Sequence, residues 1–116
     1  LARRCLKIPL HGVAVCDDAA YFHAIVDRIS EECTLRWSLP RVVGADVSVI
    51  EGYMGLGYSL FTEAEMADYR RVATASGLIL DPTYSGKAFR ALLIEPGRFG
   101  SAPLFIHTGG IFGLLA

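Results

Sequence analysis

HGVAVCDDAAYFHAIVDRISEEC, residues His11 to Cys33, decides how this chain is read. His11 to Val15 has the short apolar run of a buried strand. Asp17-Asp18 follows, where a helix wants an N-cap carboxylate. From Tyr21 to Cys33 the apolar positions Phe22, Ile25, Val26 and Ile29 keep helical spacing. A strand that turns directly into a helix is half of a βαβ unit.

Working outward, the pattern repeats. Thr62-Glu-Ala-Glu65 is a capping box. The helix it opens is expected to run to Ser76, with Met66, Tyr69 and Ala73 along one side and Gly77 as its stop. Leu78 to Leu80 reads as a buried strand ended by Asp81-Pro82, and a further helix is expected from Ser85 to Ile94, stopped by Pro96-Gly97. Leu104 to Ile106 reads as the last strand. Between these lies a less regular stretch, with short strands expected at Val42-Val43 and Val47 to Ile50 around Gly44. EGYMGLGYS (51–59) follows, and its three glycines imply a loop with tight turns or close approach to a partner. Alternation of this kind predicts an α/β fold, a mostly parallel sheet flanked by helices in three layers.

The 116 residues predict one domain. With 53% apolar and 20% charged residues, disorder is excluded, and the surface is rather apolar for a lone small domain. A net charge of −1 without a basic block argues against nucleic acid, and no apolar run is long enough to span a membrane. The one basic cluster, Arg3-Arg4 with Lys7, is short. Cys5, Cys16 and Cys33 have neither disulfide-framework nor zinc spacing, and His11 and His23 add no metal motif.

Parallel α/β sheets bind ligands beyond the carboxyl ends of their strands. Two stretches fall there: Asp81 to Lys87 and His107 to Gly110. Tyr84, Ser85 and Thr108 offer hydroxyls at that rim. Ser85 suits either an N-cap or a ligand contact. Lys87 reads as a surface residue or as an anion partner, and Tyr58 as a packed ring or one presented to a ligand. Gly109-Gly110 has the look of an anion nest but lacks nucleotide-loop spacing. His107 reads as structural or as an acid or base, the structural reading being the commoner at a strand end, and Asp81 as shaping its turn. No Ser-His-Asp set assembles. A small coenzyme A or nucleotide domain is disfavoured, because no complete phosphate loop is present.

Three stretches carry a resemblance: GLGYSLFTEAE (55–65), GLILDPTYSGKA (77–88) and LFIHTGG (104–110). They resemble the carboxyl-terminal part of the D-cysteine desulfhydrase and 1-aminocyclopropane-1-carboxylate deaminase family, fold type II, tryptophan-synthase-β-like enzymes that use pyridoxal 5′-phosphate. HGVAVCDDAAYF (11–22) is similar to the plant-type desulfhydrase branch. The likeness spans almost the whole chain, and the LDPxYSGKA and FIHTGG pair is its specific part.

The resemblance implies that this chain is the carboxyl-terminal portion of such an enzyme. The Schiff-base lysine and the phosphate loop would belong to the amino-terminal portion, a partner in the complete enzyme, and Lys87 is not that lysine. It further implies a small amino-acid substrate, a homodimer when complete, and a mitochondrial or cytoplasmic location. Tyr58 and Tyr84 match the catalytic tyrosines near the substrate. Ser85 and Thr108, with Gly109, match the cofactor-binding positions by the pyridine nitrogen. The family's deaminases carry a glutamate where Ser85 stands, and its desulfhydrases a hydroxyl. A hydroxyl tends to leave the ring nitrogen neutral, which favours β-elimination of sulfide from D-cysteine, giving pyruvate and ammonia. Deaminase activity, or an inactive enzyme-derived subunit of a larger assembly, are the alternatives, and the isolated chain is expected to be inactive. Ile111-Phe112 departs from the family pattern, which has a small residue or proline after the glycines.

Overall fold

The computed structural model describes residues 8–110, which form two compact units divided after Glu51. Cys5, the Arg3-Arg4-Lys7 cluster and Ile111-Phe112 lie outside the described residues.

The first unit is a βαβ arrangement. Strand β1 (His11–Val13) pairs in parallel with β2 (Ser48–Ile50), with His11 opposite Ser48 and Val13 opposite Ile50. The ladder is extended at both ends: the Ser48 N–H donates to Leu10 O at 3.0 Å, and the Ala14 N–H to Ile50 O at 2.8 Å. Between the strands runs helix α1 (Ala19–Trp37). Asp18 caps its start by accepting the Tyr21 N–H at 2.8 Å, as the Asp-Asp pair had suggested. The helix outruns the expected Cys33 by four residues and ends where Ser38 turns left-handed.

The return from α1 to β2 is tied back to the helix. Asp27 Oδ1 accepts the Gly44 N–H at 2.7 Å, Ser30 Oγ accepts the Val42 N–H at 2.6 Å, and His23 Nε2 lies 3.1 Å from Val47 O. Gly44 is needed there, because a Cβ would stand 2.4 Å from His23 O. Gly44–Asp46 forms a single 3-10 turn. Val42-Val43 is therefore no strand, since Val42 bonds to a helix side chain and Val43 opens that turn.

In the second unit the irregular segment 52–61 leads into helix α2 (Glu63–Ser76). Its capping box is complete, and Gly77 ends it at φ +73°. Helix α3 (Ser85–Ile94) follows, then a 3-10 turn at Pro96–Phe99. Tyr69, Val72 and Leu80 form the core, with Met66, Leu78, Phe89, Leu93 and Phe105 packed on it. Phe105 meets Phe89 edge-on, with ring centroids 5.0 Å apart.

The two strands expected in this unit differ from the sequence reading. Neither 78–80 nor 104–106 is bonded into a ladder. Leu80 is buried as expected, but Leu104 and Ile106 are 88% and 72% exposed, and only Phe105 of that run faces the core. A strand needs a neighbour about 5 Å away to pair with, and among the described residues the helix-flanked parallel pair is β1 and β2.

Candidate functional site

The site builds from Asp81 outward, within the second unit. Leu80 anchors the chain in the core, and Pro82 then forces a turn. The turn brings four donors onto one carboxylate. Asp81 Oδ1 accepts the N–H groups of Thr83 at 2.9 Å and Tyr84 at 2.7 Å. Asp81 Oδ2 accepts the Ser85 N–H at 2.8 Å and the Ser85 hydroxyl. Asp81 thus caps α3 from three residues before its N-cap, Tyr84, whose own side chain makes no capping bond. Asp81 is 1% exposed. Burial works to raise its pKa, but the hydrogen bonds from Ser85, Tyr84 and Thr83 outweigh it and hold the carboxyl below its ordinary range.

Ser85 is consequently not the N-cap. It is the first helical residue, buried, and its hydroxyl faces Asp81. Gly86 follows because nothing larger fits: a Cβ would lie 2.6 Å from both Asp81 O and Tyr69 Cζ.

Segment 52–61 is secured to this turn at three points. Tyr58 meets Tyr84 edge-on with ring centroids 5.7 Å apart, and Ser59 Oγ lies 3.2 Å from Thr83 Oγ1. The Lys87 ammonium donates to Met54 O at 2.7 Å and to Gly57 O. Lys87 is thereby fully buried, which corrects its reading as a surface residue. Helical spacing held the missed signal: Lys87 and the equally buried Ala91 are i and i+4 on one face.

Beneath this lies Glu65, 2% exposed, which accepts the Thr62 N–H at 2.6 Å and pairs with Arg90 at 3.1 Å. Arg90 also reaches Asp68 at 3.1 Å. Burial pushes the Glu65 pKa up, yet the bonds from Thr62 and the charges of Arg90 and Lys87 bring it below normal.

The third stretch reaches the same turn. His107 Nε2 lies 3.0 Å from Ile79 O, and its Nδ1 accepts the Gly109 N–H at 3.1 Å, which places the ring proton on Nε2. Gly110 abuts Asp81 so closely that a Cβ would stand 2.5 Å from Oδ2. Thr108 is exposed between these two anchors.

Tyr58, Tyr84 and Ser85 therefore gather around one turn, and Thr108 and Gly109 lie between His107, which bonds to Ile79 O, and Gly110, which lies close against Asp81. Tyr58 and Tyr84 are 63% and 43% exposed, so both rings are presented outward. The Gly109 N–H is already directed to His107, so it is not available to an anion nest. Asp81 and Lys87, read from sequence as a turn-former and a surface charge, organise the cluster. Among the described residues no group of His, Cys, Asp and Glu side chains is placed to hold a metal ion. No described helix is long and apolar enough to cross a membrane. In the first unit, a groove of about 250 Å³ is lined mainly by apolar residues, Val26, Ile29, Leu39, Pro40 and Val42, together with the Cys33 thiol and Ser30, whose hydroxyl accepts the Val42 N–H.

The first unit holds the helix-flanked parallel strands of an α/β chain, and the second a loop cluster rich in hydroxyls and tyrosines. The chain is 37% identical to the mitochondrial bifunctional D-cysteine desulfhydrase/1-aminocyclopropane-1-carboxylate deaminase of Arabidopsis thaliana, over 94% of its own length and 27% of that protein's. It is 36% identical to a D-cysteine desulfhydrase of Salmonella paratyphi C, over 76% of its length and 28% of the relative's. No family model matches it. The chain is homologous to the D-cysteine desulfhydrase and 1-aminocyclopropane-1-carboxylate deaminase family of pyridoxal-phosphate enzymes, and it spans little more than a quarter of the length of these two relatives.

Proposed function

We propose that this chain is the carboxyl-terminal portion of a pyridoxal 5′-phosphate-dependent lyase that converts D-cysteine to pyruvate, sulfide and ammonia. In this reading it supplies the pyridine-ring and substrate side of the pocket. One observation carries it: the three stretches that resemble the family, distant in sequence, meet at the Asp81 turn. Residues retained only for folding would not need to bring two outward-facing tyrosines to the same place.

The residues suit the cofactor chemically. Ser85 and Thr108 offer hydroxyls to a ring nitrogen, and Tyr58 and Tyr84 offer phenols to an amino-acid substrate. Lys87 is not suited to a covalent role, because its ammonium is engaged by Met54 and Gly57. The covalent lysine and the phosphate cradle are assigned to an amino-terminal portion, and a homodimer to the complete enzyme. When bound, the cofactor supplies the electron sink for the pair left when the Cα proton departs.

This chain's own part is orientation and proton handling. The edge-on contact of Tyr58 and Tyr84 fixes the two rings against each other, so a substrate meets two phenols at a set spacing. A phenol held beside a departing thiolate can give it a proton, which makes the elimination easier. Ser85 and Thr108 orient the ring.

The first test is an intact-mass spectrum of the source protein, native and then denatured, followed by sulfide release from D-cysteine. A species of full family length, or a complex with a cofactor-bearing partner, that releases sulfide supports the reading. In that enzyme Tyr58→Phe and Tyr84→Phe should each cut turnover at least tenfold. A native mass of 12.6 kDa with no partner and no turnover would leave an inactive, enzyme-derived subunit. Deaminase activity is the second reading, favoured by the double name of the Arabidopsis relative. Comparing the two substrates on one preparation separates them.

A further inference from the structure

The hydrogen bonds around Ser85 determine which way its hydroxyl proton points. Asp81 N–H donates to Ser85 Oγ at 3.0 Å, and a backbone N–H can only donate. Asp81 Oδ2, on an ionised carboxylate, can only accept, and the Ser85 hydroxyl is bonded to it. The hydroxyl must therefore send its single proton to Asp81 and receive the Asp81 N–H on one lone pair. What remains is one lone pair.

We propose that Asp81 is a positioning residue that holds the Ser85 proton inward, so that Ser85 meets the pyridine nitrogen of the cofactor as an acceptor only. This rests on the reading of Ser85 as the residue beside that nitrogen. It reverses what a hydroxyl at this position implies, a neutral nitrogen, so the Ser85 hydroxyl no longer favours β-elimination over deamination. A hydroxyl free to rotate can donate to a neutral ring nitrogen. One tied to a buried carboxylate favours the protonated nitrogen, which can donate to Ser85 and feel the Asp81 charge through it. The pair then acts as a carboxylate one atom group removed, so the electron sink is stronger than serine alone would suggest.

The Asp81→Asn variant should reverse the arrangement. Its amide oxygen is best placed at the Oδ1 position, where two N–H groups converge, from Thr83 and Tyr84. That sets the amide NH2 against Ser85 Oγ and leaves the Ser85 N–H without the acceptor it has in the wild type. Ser85 then accepts from the amide, and its own proton turns outward.

Two measurements separate this inference from the function it rests on. In the cofactor-free enzyme containing this chain, the Ser85 hydroxyl proton should give a slowly exchanging, downfield NMR resonance that is lost in Asp81→Asn. In the holoenzyme containing this chain, loaded with pyridoxal 5′-phosphate labelled with 15N in the ring, the ring nitrogen should resonate as a pyridinium. It should move towards the neutral position in both Asp81→Asn and Ser85→Ala.

A rapidly exchanging Ser85 hydroxyl in the wild-type enzyme overturns the hold by Asp81, and so does a neutral ring nitrogen that responds to Ser85→Ala. A held hydroxyl with a ring nitrogen indifferent to Ser85→Ala shows instead that Ser85 does not face the ring, and it is the functional reading that fails. If Asp81→Asn does not fold, the wild-type hydroxyl resonance and the Ser85→Ala holoenzyme still decide.

Discussion

Lys87, on the first turn of α3, donates to the carbonyl of Gly57, thirty residues earlier in the chain and immediately before Tyr58. A helix side chain thus sets the position of a loop tyrosine. The ammonium also holds Met54 O, and each carbonyl accepts one backbone N–H besides, Met54 O from Gly57 at 3.3 Å and Gly57 O from Leu60 at 3.2 Å.

Replacing Lys87 by Met should therefore loosen segment 54–58 before it loosens the helices. Charge-assisted hydrogen bonds are worth about 1.5–3 kcal/mol each, so a loss of about 3 kcal/mol in urea unfolding is expected. Hydrogen exchange should show faster exchange at 54–60 with α2 still protected. Uniform loss of protection across the second unit would instead make Lys87 a general core residue.

Acid should destabilise the protein through two buried carboxylates. The folded pKa values of Asp81 and Glu65 both lie below their ordinary values of 3.8 and 4.5. Their contribution is therefore complete above the unfolded values and is lost as pH falls through the folded ones. Stability should be flat near neutrality and decline below about pH 4.5, set by the unfolded Glu65. Asp81→Asn and Glu65→Gln should each flatten that decline while lowering stability at pH 7. Arg90→Met, which leaves Glu65 buried without its ion pair, should cost about 3 kcal/mol at pH 7. Denaturant midpoints measured across pH check all three variants.

What the sequence made legible was local. The Thr62–Glu65 box, the Gly77 stop and the bounds of α3 depend on residues a turn apart, so they can be read without knowing the fold. The β1–α1 passage was legible for the same reason. The burial of Lys87 was not, because it depends on where segment 52–61 lies, and no short-range pattern sets that. Leu104 to Ile106 was misread because its apolar composition resembles a buried strand, whereas only Phe105 has a neighbour to pack on. Among the site residues, the resemblance drew attention to Tyr58, Tyr84 and Ser85, but the carboxylate that organises them was seen only as a turn.

Two glycines should be intolerant for steric reasons, one in each unit. An alanine Cβ at Gly44 would stand 2.4 Å from His23 O, and at Gly86 2.6 Å from Asp81 O and Tyr69 Cζ. Backbone atoms cannot step aside as a flexible side chain can, so each substitution should cost about 3 kcal/mol. Gly12→Ala and Gly97→Ala, where a Cβ meets nothing within 4 Å, are the matched controls and should change stability by less than about 1 kcal/mol. Thermal melts of the four variants test the contrast. Equal losses at all four positions would show that backbone entropy, rather than close approach, governs them.

Tyr69 should behave in the opposite sense to most buried tyrosines. Its ring fills the core of the second unit, yet its hydroxyl is buried without a hydrogen-bond partner among the described residues. Burial, and next the nearby Glu65 charge, push its pKa up to about 12. An unmet buried hydroxyl carries a desolvation penalty of about 1–3 kcal/mol, and Tyr69→Phe removes it while keeping the ring contacts. The variant should therefore be more stable by about 1 kcal/mol, read as a higher urea midpoint with an unchanged slope. The alkaline limb gives a second check. A phenol whose folded pKa is raised contributes stability that is lost as pH climbs from its unfolded value of 10 towards about 12. Tyr69→Phe should hold its stability further into that range than the wild type. A lower midpoint in the variant would mean that the hydroxyl is satisfied by a buried water, and that the core is built around it.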